Sequence, residues 1–422
     1  MRIAVVGAGI SGLTAAYLLS RAHEVELFER NDYAGGHANT VAVREDGVEV
    51  GLDAGFVVYN EHTYPGFTKL LRELDVATQP GEMSLSVRCA ACRLEYSSRG
   101  LRGMLARRRD LARPSRWMLG LDILRFYRDT RHAVESSEYE RATLAEFLRA
   151  RRYSGEFVRH FIVPVASAVW STPSAEIDSF PVRHFLRFLL NHGIIGLQPA
   201  HVWRTVRGGS REYVRRMTEA LPAVRLSAPV RRVWREADGA RLAIDGAGCR
   251  TFDRVVLACH ADEALALLAD ASEEERQALG GFSYSSHRVA LHTDASLLPE
   301  REAARAAWNY ATRDCRRDGR SLMMTYHLNR LQALRTPTDY CVSLNAERVR
   351  PETVIREMTY EHPRYTFETL AAQRAVLALD GARHTHFAGA YLGYGFHEDG
   401  YASGARVAAS IGADARVGVL VS

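Results

Sequence analysis

The sequence predicts an α/β fold in two domains, the first Rossmann-like and the second a mixture of α and β elements. Three observations carry that expectation. The chain has 422 residues, and single hydrophobic cores stop growing near roughly 250 to 300 residues. Its opening alternates strand, glycine turn, helix and strand. Helical and strand-like patterns then alternate far along the chain, between segments that resemble continuations of the first domain.

Residues 2–6 read as a buried strand, 10–21 as a helix, and 24–28 as a second strand ending in Glu29. Gly7, Gly9 and Gly12 complete G-x-G-x-x-G in the first turn. Gly7 permits the tight turn, Gly9 lets a pyrophosphate approach the backbone, and Gly12 lets helix and strand pack closely. The helix start, with Ser11 in its first turn, offers N–H groups and partial positive charge to phosphates. Glu29 lies seventeen residues after Gly12, where an acid accepts hydrogen bonds from a ribose. Strand, helix and acid agree with the fingerprint, so the segment is expected to bind a dinucleotide. The second glycine pair, Gly35-Gly36, lets the chain double back under the cofactor and points to FAD.

These residues resemble the flavin-containing amine oxidoreductase superfamily, which takes in the phytoene-desaturase-like enzymes. Its members follow the fingerprint with an acid-Arg/Lys pair, a GG-Arg segment, a Thr and an Asp-x-Gly segment near the flavin ring. Here these are Glu29-Arg30, Gly35-Gly36-His37, Thr40 and Asp53-Ala54-Gly55, with His37 in place of the usual arginine. Residues 228–233 and 253–260 look like the superfamily's second pass through the cofactor domain, with Val230 against the adenine. Phe387-Ala388-Gly389-Ala390 and Gly395-Phe396-His397-Glu398-Asp399-Gly400 resemble its closing flavin motif, where a helix start aims its dipole at the ring. Ala390 replaces the usual acid. By this resemblance the cofactor domain is of the glutathione-reductase type, and Gly7, Gly9, Ser11, Gly12, Glu29, Arg30, Gly35, Gly36, His37, Gly55, Val230, Gly389, Glu398, Asp399 and Gly400 line the FAD.

The matches are spaced so that the FAD-binding domain is discontinuous, residues 1–80, 205–280 and 370–422, leaving 81–204 and 281–369 for the substrate domain. Residues 143–148 and 182–190 carry helical patterns, and Thr143 with Glu146 fits a capping box. Val289-Ala290-Leu291-His292 is strand-like. No window approaches the roughly 20 apolar residues of a membrane-spanning helix, and the N-terminus reads as a strand rather than a signal peptide. A cytoplasmic location is expected. The six cysteines are too sparse for a disulfide framework. Cys89-x-x-Cys92 lacks the second pair a structural zinc site wants, so no metal is expected. No nucleic-acid partner is expected either.

Positive charge is almost all arginine, Lys69 being the only lysine, and it clusters between residues 99 and 131 at Arg99, Arg102, Arg107, Arg108, Arg109, Arg113, Arg116, Arg125, Arg128 and Arg131. Met104, Leu105, Leu111, Trp117, Met118, Leu119, Leu121, Leu124, Phe126 and Tyr127 lie between them. Two readings stand side by side. The segment packs on its own domain with its arginines in water, or it sits peripherally on the inner face of the membrane, arginines on anionic headgroups.

Amine oxidases of the superfamily hold a lysine near the flavin, and Lys69 lies in a helix-like segment after Asp53-Gly55, the wrong place for that role. A closer resemblance is carried by Ala168-Val169-Trp170-Ser171-Thr172-Pro173, Asn191-His192-Gly193, residues 203–214, Asn329-Arg330-Leu331-Gln332 and Gly393–Gly400. These are similar to predicted bacterial flavoproteins and to the N-terminal domains of plant cyclopropane-fatty-acid synthases, nearly end to end. A related flavoprotein desaturates methylated acyl chains on the way to furan fatty acids. The resemblance implies an FAD-dependent dehydrogenase or desaturase acting on a phospholipid acyl chain, with a lipid methyltransferase as partner. A flavin oxidase or isomerase for a small amine or polyene, and a non-catalytic FAD-binding partner of the methyltransferase, are the rival readings. His192, Tyr326, Tyr394 and His397 are the candidates to line the pocket or take a proton. The plain alternative for them is packing and backbone hydrogen bonding.

Overall fold

The computed structural model describes residues 1–107, 113–171, 174–196, 201–316, 323–345 and 347–412. Arg108, Arg109, Leu111, Thr172 and Pro173, singled out above, lie outside the described residues. The chain forms two compact units, the first from Met1–Thr78, Val206–Ser283 and Glu368–Ser422, the second from Gln79–Thr205 and Tyr284–Phe367.

A five-stranded parallel sheet centres the first unit, in the order Val224–Arg225, Glu24–Phe28, Arg2–Val6, Arg254–Leu257, Thr385–Phe387. Parallel strands covered on both faces need unbroken apolar runs. Ile3, Ala4 and Val5 are fully buried, with Val5 paired to Leu27 on one side and Val256 on the other. The helix Ile10–Leu19 follows the first strand and is buried nearly all round. The last helix, His397–Ile411, crosses it through small residues. A Cβ on Gly404 would lie 2.3 Å from the Ser11 carbonyl oxygen, and one on Gly400 2.6 Å from Ile10 Cγ2. A meander of Val230–Glu236, Gly239–Ile244 and Gly248–Phe252 completes the unit.

The second unit holds a seven-stranded sheet in the order Val354–Pro363, Tyr284–His292, Cys341–Leu344, Met323–His327, Trp308–Thr312, Leu85–Cys89, Leu94–Ser97. Its pairings are antiparallel except that of Trp308–Thr312 with Leu85–Cys89. Its helices include Pro114–Glu135, Leu144–Ala150, Val163–Trp170 and Val182–Asn191. The capping box expected at Thr143 is present: the Glu146 N–H donates to Thr143 Oγ1, and the Thr143 N–H to the Glu146 carboxylate. Phe126, Phe147, Tyr153, Phe157 and Phe161 stack and tilt against one another to fill the space between these helices.

Candidate functional site

The glycine turn of the first unit has the three geometries its spacing predicts. Gly7 has φ +103°, its N–H donates to the Phe28 carbonyl at 2.8 Å, and a Cβ there would come within 2.7 Å of the Ala258 carbonyl oxygen. Gly12 admits no side chain, because a Cβ would stand 1.8 Å from the Gly7 carbonyl oxygen. Gly9 is the opposite case, with no atom within 4 Å of its would-be Cβ. Gly9 also begins the helix Ile10–Leu19 with no side-chain cap, so no side chain of that residue occupies the first-turn N–H groups, Ser11 among them. The turn thus leaves room and donors for a pyrophosphate.

Glu29 stands at the end of the second strand, its carboxylate accepting from the Ala8 N–H at 2.8 Å and the Asn31 N–H at 2.9 Å. The chain then folds back as the second glycine pair predicts. Gly35 (φ +119°) and Gly36 (φ +58°) adopt left-handed conformations, and the Gly35 N–H donates to the Ala8 carbonyl at 2.7 Å. Residues 227 and 228 donate to the carbonyls of Asn31 and Glu29, which brings the strand beginning at Val230 alongside this loop. Arg30 reaches away to Glu263 at 2.6 Å.

His37 stands where the family has an arginine. Burial, with His260 adding repulsion, lowers its imidazole to about 4 in the flavin-free chain. Backbone N–H groups and the helix dipole are the charge-independent means of holding a pyrophosphate here. Gly55 packs its α-carbon where a Cβ would be 2.3 Å from the His37 carbonyl oxygen. Asp53, which ends the strand Val48–Asp53, ties it to the start of the helix Arg211–Glu219 by accepting from the Thr40 hydroxyl at 2.6 Å and from the Ser210 N–H and hydroxyl, both at 2.8 Å. Burial raises its carboxyl to about 6 against those donors. Ser210 was not assigned a role from sequence; the signal was Gly208-Gly209 before it, both with positive φ, placing its amide on a carboxylate.

The pattern of the flavin-containing amine oxidoreductase family matches residues 10–324 of this chain. The chain belongs to that family. Its cofactor is FAD, and it is an FAD-dependent oxidoreductase. A stretch of 52 residues is 48% identical to the L-amino-acid oxidase of Pseudechis australis, 12% of this chain and 10% of that protein. Another of 62 residues is 37% identical to a zeta-carotene desaturase of Capsicum annuum, 14% of this chain and 10% of that protein. These matches span only a tenth of either relative's length. Among solved structures, the chain is similar in fold to a CLA-producing fatty acid isomerase from P. acnes, with a TM-score of 0.71 and 15% identity over 97% of this chain and 98% of that one.

In the closing motif of this flavin-containing amine oxidoreductase, the two oxygens of Glu398 accept from the N–H groups of Gly66 at 2.8 Å and Phe67 at 2.9 Å, capping the helix Pro65–Glu73. Burial, with Asp399 adding repulsion, raises it to about 7. Asp399 accepts from the Phe396 N–H at 2.8 Å and is raised by burial to about 6. What this helix start has to offer a ring oxygen is its backbone N–H groups rather than these carboxylates. Gly389, which starts the motif, donates its N–H to Ser403 Oγ at 2.9 Å.

The four residues expected to line the pocket, of which His192 or His397 would take a proton, fall in both units. His397 is a core residue of the first, stacked on Phe56 at 3.7 Å with its Nε2 2.7 Å from the Tyr213 hydroxyl, and burial lowers it to about 3. Tyr394 is half-buried in the turn before the last helix. In the second unit, the Tyr326 hydroxyl donates to the Ala168 carbonyl at 3.2 Å, and burial holds it well above the usual range. His192 stacks on Phe188 with Nδ1 3.1 Å from the Phe188 carbonyl, and burial lowers it to about 4. Lys69 is exposed on the helix Pro65–Glu73. Cys89 and Cys92 are joined by Cys315, a neighbour 223 residues on that no spacing rule suggests.

Proposed function

We propose that this flavoprotein dehydrogenates an acyl chain of a phospholipid, which it meets at an anionic membrane surface. The observation that carries the reading is the helix Pro114–Glu135, whose outward face carries large apolar side chains. Its inward face holds Asp122 and Asp129, whose carboxylates accept from the Ser154 N–H and the Tyr153 hydroxyl, both at 2.9 Å. Its outward face shows Trp117 (60% exposed), Met118, Leu121 (67%) and Leu124, and Leu101, Met104 and Leu105 are exposed just before it in sequence. Exposed apolar groups of this size on one element mark a membrane or protein contact. The exposed Arg102, Arg113, Arg128 and Arg131 around them favour anionic headgroups.

The resemblance to flavoproteins associated with acyl-chain modification supports the same substrate class. The exposed Lys69 does not favour an amine oxidase built around a flavin-adjacent lysine. When bound, FAD accepts a hydride from one acyl carbon while a proton leaves the adjacent carbon. The chain's part is to hold the acyl C–H bonds in a dry pocket and to receive that proton.

Anaerobic mixing of the yellow holoprotein with vesicles of methyl-branched phospholipid is expected to bleach the flavin band and give an unsaturated acyl product by mass spectrometry. Bleaching by amino acids or polyamines and not by lipid would reassign the protein as an amine oxidase. A band that no reductant of either class bleaches would leave the non-catalytic partner of a lipid methyltransferase.

A further inference from the structure

The second unit holds a cluster that flavin chemistry does not use. Cys89 ends the strand Leu85–Cys89, and a tight turn, with Arg93 at φ +55°, carries Cys92 before the chain returns as Leu94–Ser97. The strand Trp308–Thr312 runs parallel beside it with Thr312 opposite Cys89. The N–H groups of Ala90 and Ala91 donate to the carbonyls of Thr312 and Arg313 at 3.0 and 2.9 Å, so the loop that follows brings Cys315 to the same point. The three sulfurs lie within 4.8 Å of one another. His160, fully buried on the π-helical turn Val158–Ile162, places its Nε2 3.6 Å from Cys92 Sγ, and its Nδ1 has no hydrogen-bond partner among the described residues.

We infer that Cys89, Cys92, Cys315 and His160 form a structural zinc site that ties the hairpin tip to the 313–316 loop and the 158–162 turn. Tetrahedral zinc, with Zn–S about 2.3 Å and Zn–N about 2.0 Å, sets sulfurs about 3.8 Å apart and a sulfur and an imidazole nitrogen about 3.6 Å apart. Three sulfurs within 4.8 Å need only a small contraction to meet this, and the Cys92–His160 separation already does. The His160 Nε2 also lies 3.5 Å from a Glu156 carboxylate oxygen, so the ring turns from Glu156 toward the other two sulfurs as the fourth bond forms.

The surroundings suit thiolates. The N–H groups of Cys92 and Cys315 point at the Cys89 sulfur and that of Leu94 at the Cys92 sulfur, as in a metal-binding knuckle. Arg116 lies 3.9 Å from Cys92 Sγ, and Arg116 and Arg159 both pair with the Glu156 carboxylate, at 3.0 and 3.2 Å. Soft sulfur ligands in this number select zinc over magnesium or calcium. Binding replaces the thiol protons with zinc and leaves the metal's oxidation state unchanged.

The test uses the full-length holoprotein, purified under reducing conditions without chelators. Metal analysis is expected to give one zinc per chain, and cobalt exchanged into the site to show a near-ultraviolet thiolate band with the intense visible bands of tetrahedral coordination. Cys315→Ser should lower zinc affinity at least 100-fold while flavin absorption is kept. His160→Gln should keep the thiolate band and change the visible ones. If Cys315→Ser does not fold, the wild-type measurements stand alone. Reduced wild-type protein that takes up neither zinc nor cobalt, with Cys89, Cys92 and Cys315 reacting with a thiol reagent equally fast in the presence and absence of zinc, would overturn the site. A Cys89–Cys92 disulfide in protein handled under reducing conditions would overturn it as well.

Discussion

Gly9 and Gly12 look alike in the sequence, yet the space around them separates what each does. Gly12 lies where a Cβ would sit 1.8 Å from a backbone oxygen, so no rotamer change relieves an alanine there. Gly9 has an ordinary φ of −72° and open space, so alanine fits the folded protein and intrudes only where the pyrophosphate goes. Gly12→Ala is therefore expected to lower stability by about 1–3 kcal/mol or more. Gly9→Ala should change stability by less than about 0.5 kcal/mol and weaken FAD binding at least about tenfold, roughly 1.4 kcal/mol. Urea unfolding of the flavin-free variants and flavin titration by fluorescence quenching separate the two effects. Equal loss of stability in both would mean that Gly9 is also a packing glycine. These roles were legible in sequence because a turn's mechanics are local. The neutrality of His37 was not, since it depends on burial and on His260, far along the chain.

Elements show the same division. The strands at 2–6 and 24–28, the helix after the glycine turn and the cap at Thr143 follow from local pattern, and the structure has them where that pattern puts them. Glu398 was legible as a motif residue but not as the cap of the helix Pro65–Glu73, because its partners are more than 300 residues away. For the helix Pro114–Glu135 the sequence left packing against membrane contact open, and burial separates its faces. Phe126 and Asp129 go inward, Trp117, Leu121 and Leu124 outward. An apolar side chain entering the acyl boundary contributes about 1.5–3 kcal/mol. Trp117→Glu and Leu121→Glu are each expected to weaken co-sedimentation with anionic vesicles about tenfold or more, without lowering the unfolding temperature. Neutral vesicles and high salt should weaken wild-type binding too. Vesicle binding that is indifferent to both substitutions would place the membrane contact elsewhere or nowhere.

Across the whole molecule, buried titratable groups are shared unequally between the two units, and this predicts which unit acid opens first. In the second unit, burial lowers His184 to about 3 and His192 and His292 to about 4. A histidine near 6.5 when unfolded and near 4 when folded binds its proton only in the unfolded chain between those values. Stability is therefore unaffected above pH 6.5 and falls as the pH drops through that window. From pH 7 to pH 5 the loss is roughly 2 kcal/mol for each histidine. The first unit carries His37 at about 4 and His397 at about 3, with His23 lowered by burial too. It also carries Asp53 and Asp399 raised to about 6 and Glu398 raised to about 7. Those carboxyls bind protons in the folded state first, so acid stabilises them, by roughly 1–2 kcal/mol each over the same range, and the two effects nearly cancel. Flavin-free protein taken from pH 7 to pH 5 is thus expected to lose stability mainly in residues 79–205 and 284–367. Hydrogen exchange, corrected for its intrinsic pH dependence, should show the strands Tyr284–His292 and Cys341–Leu344 opening well before Arg2–Val6 and Arg254–Leu257. The reverse order would mean that the buried histidines of the second unit are not neutral in the folded chain.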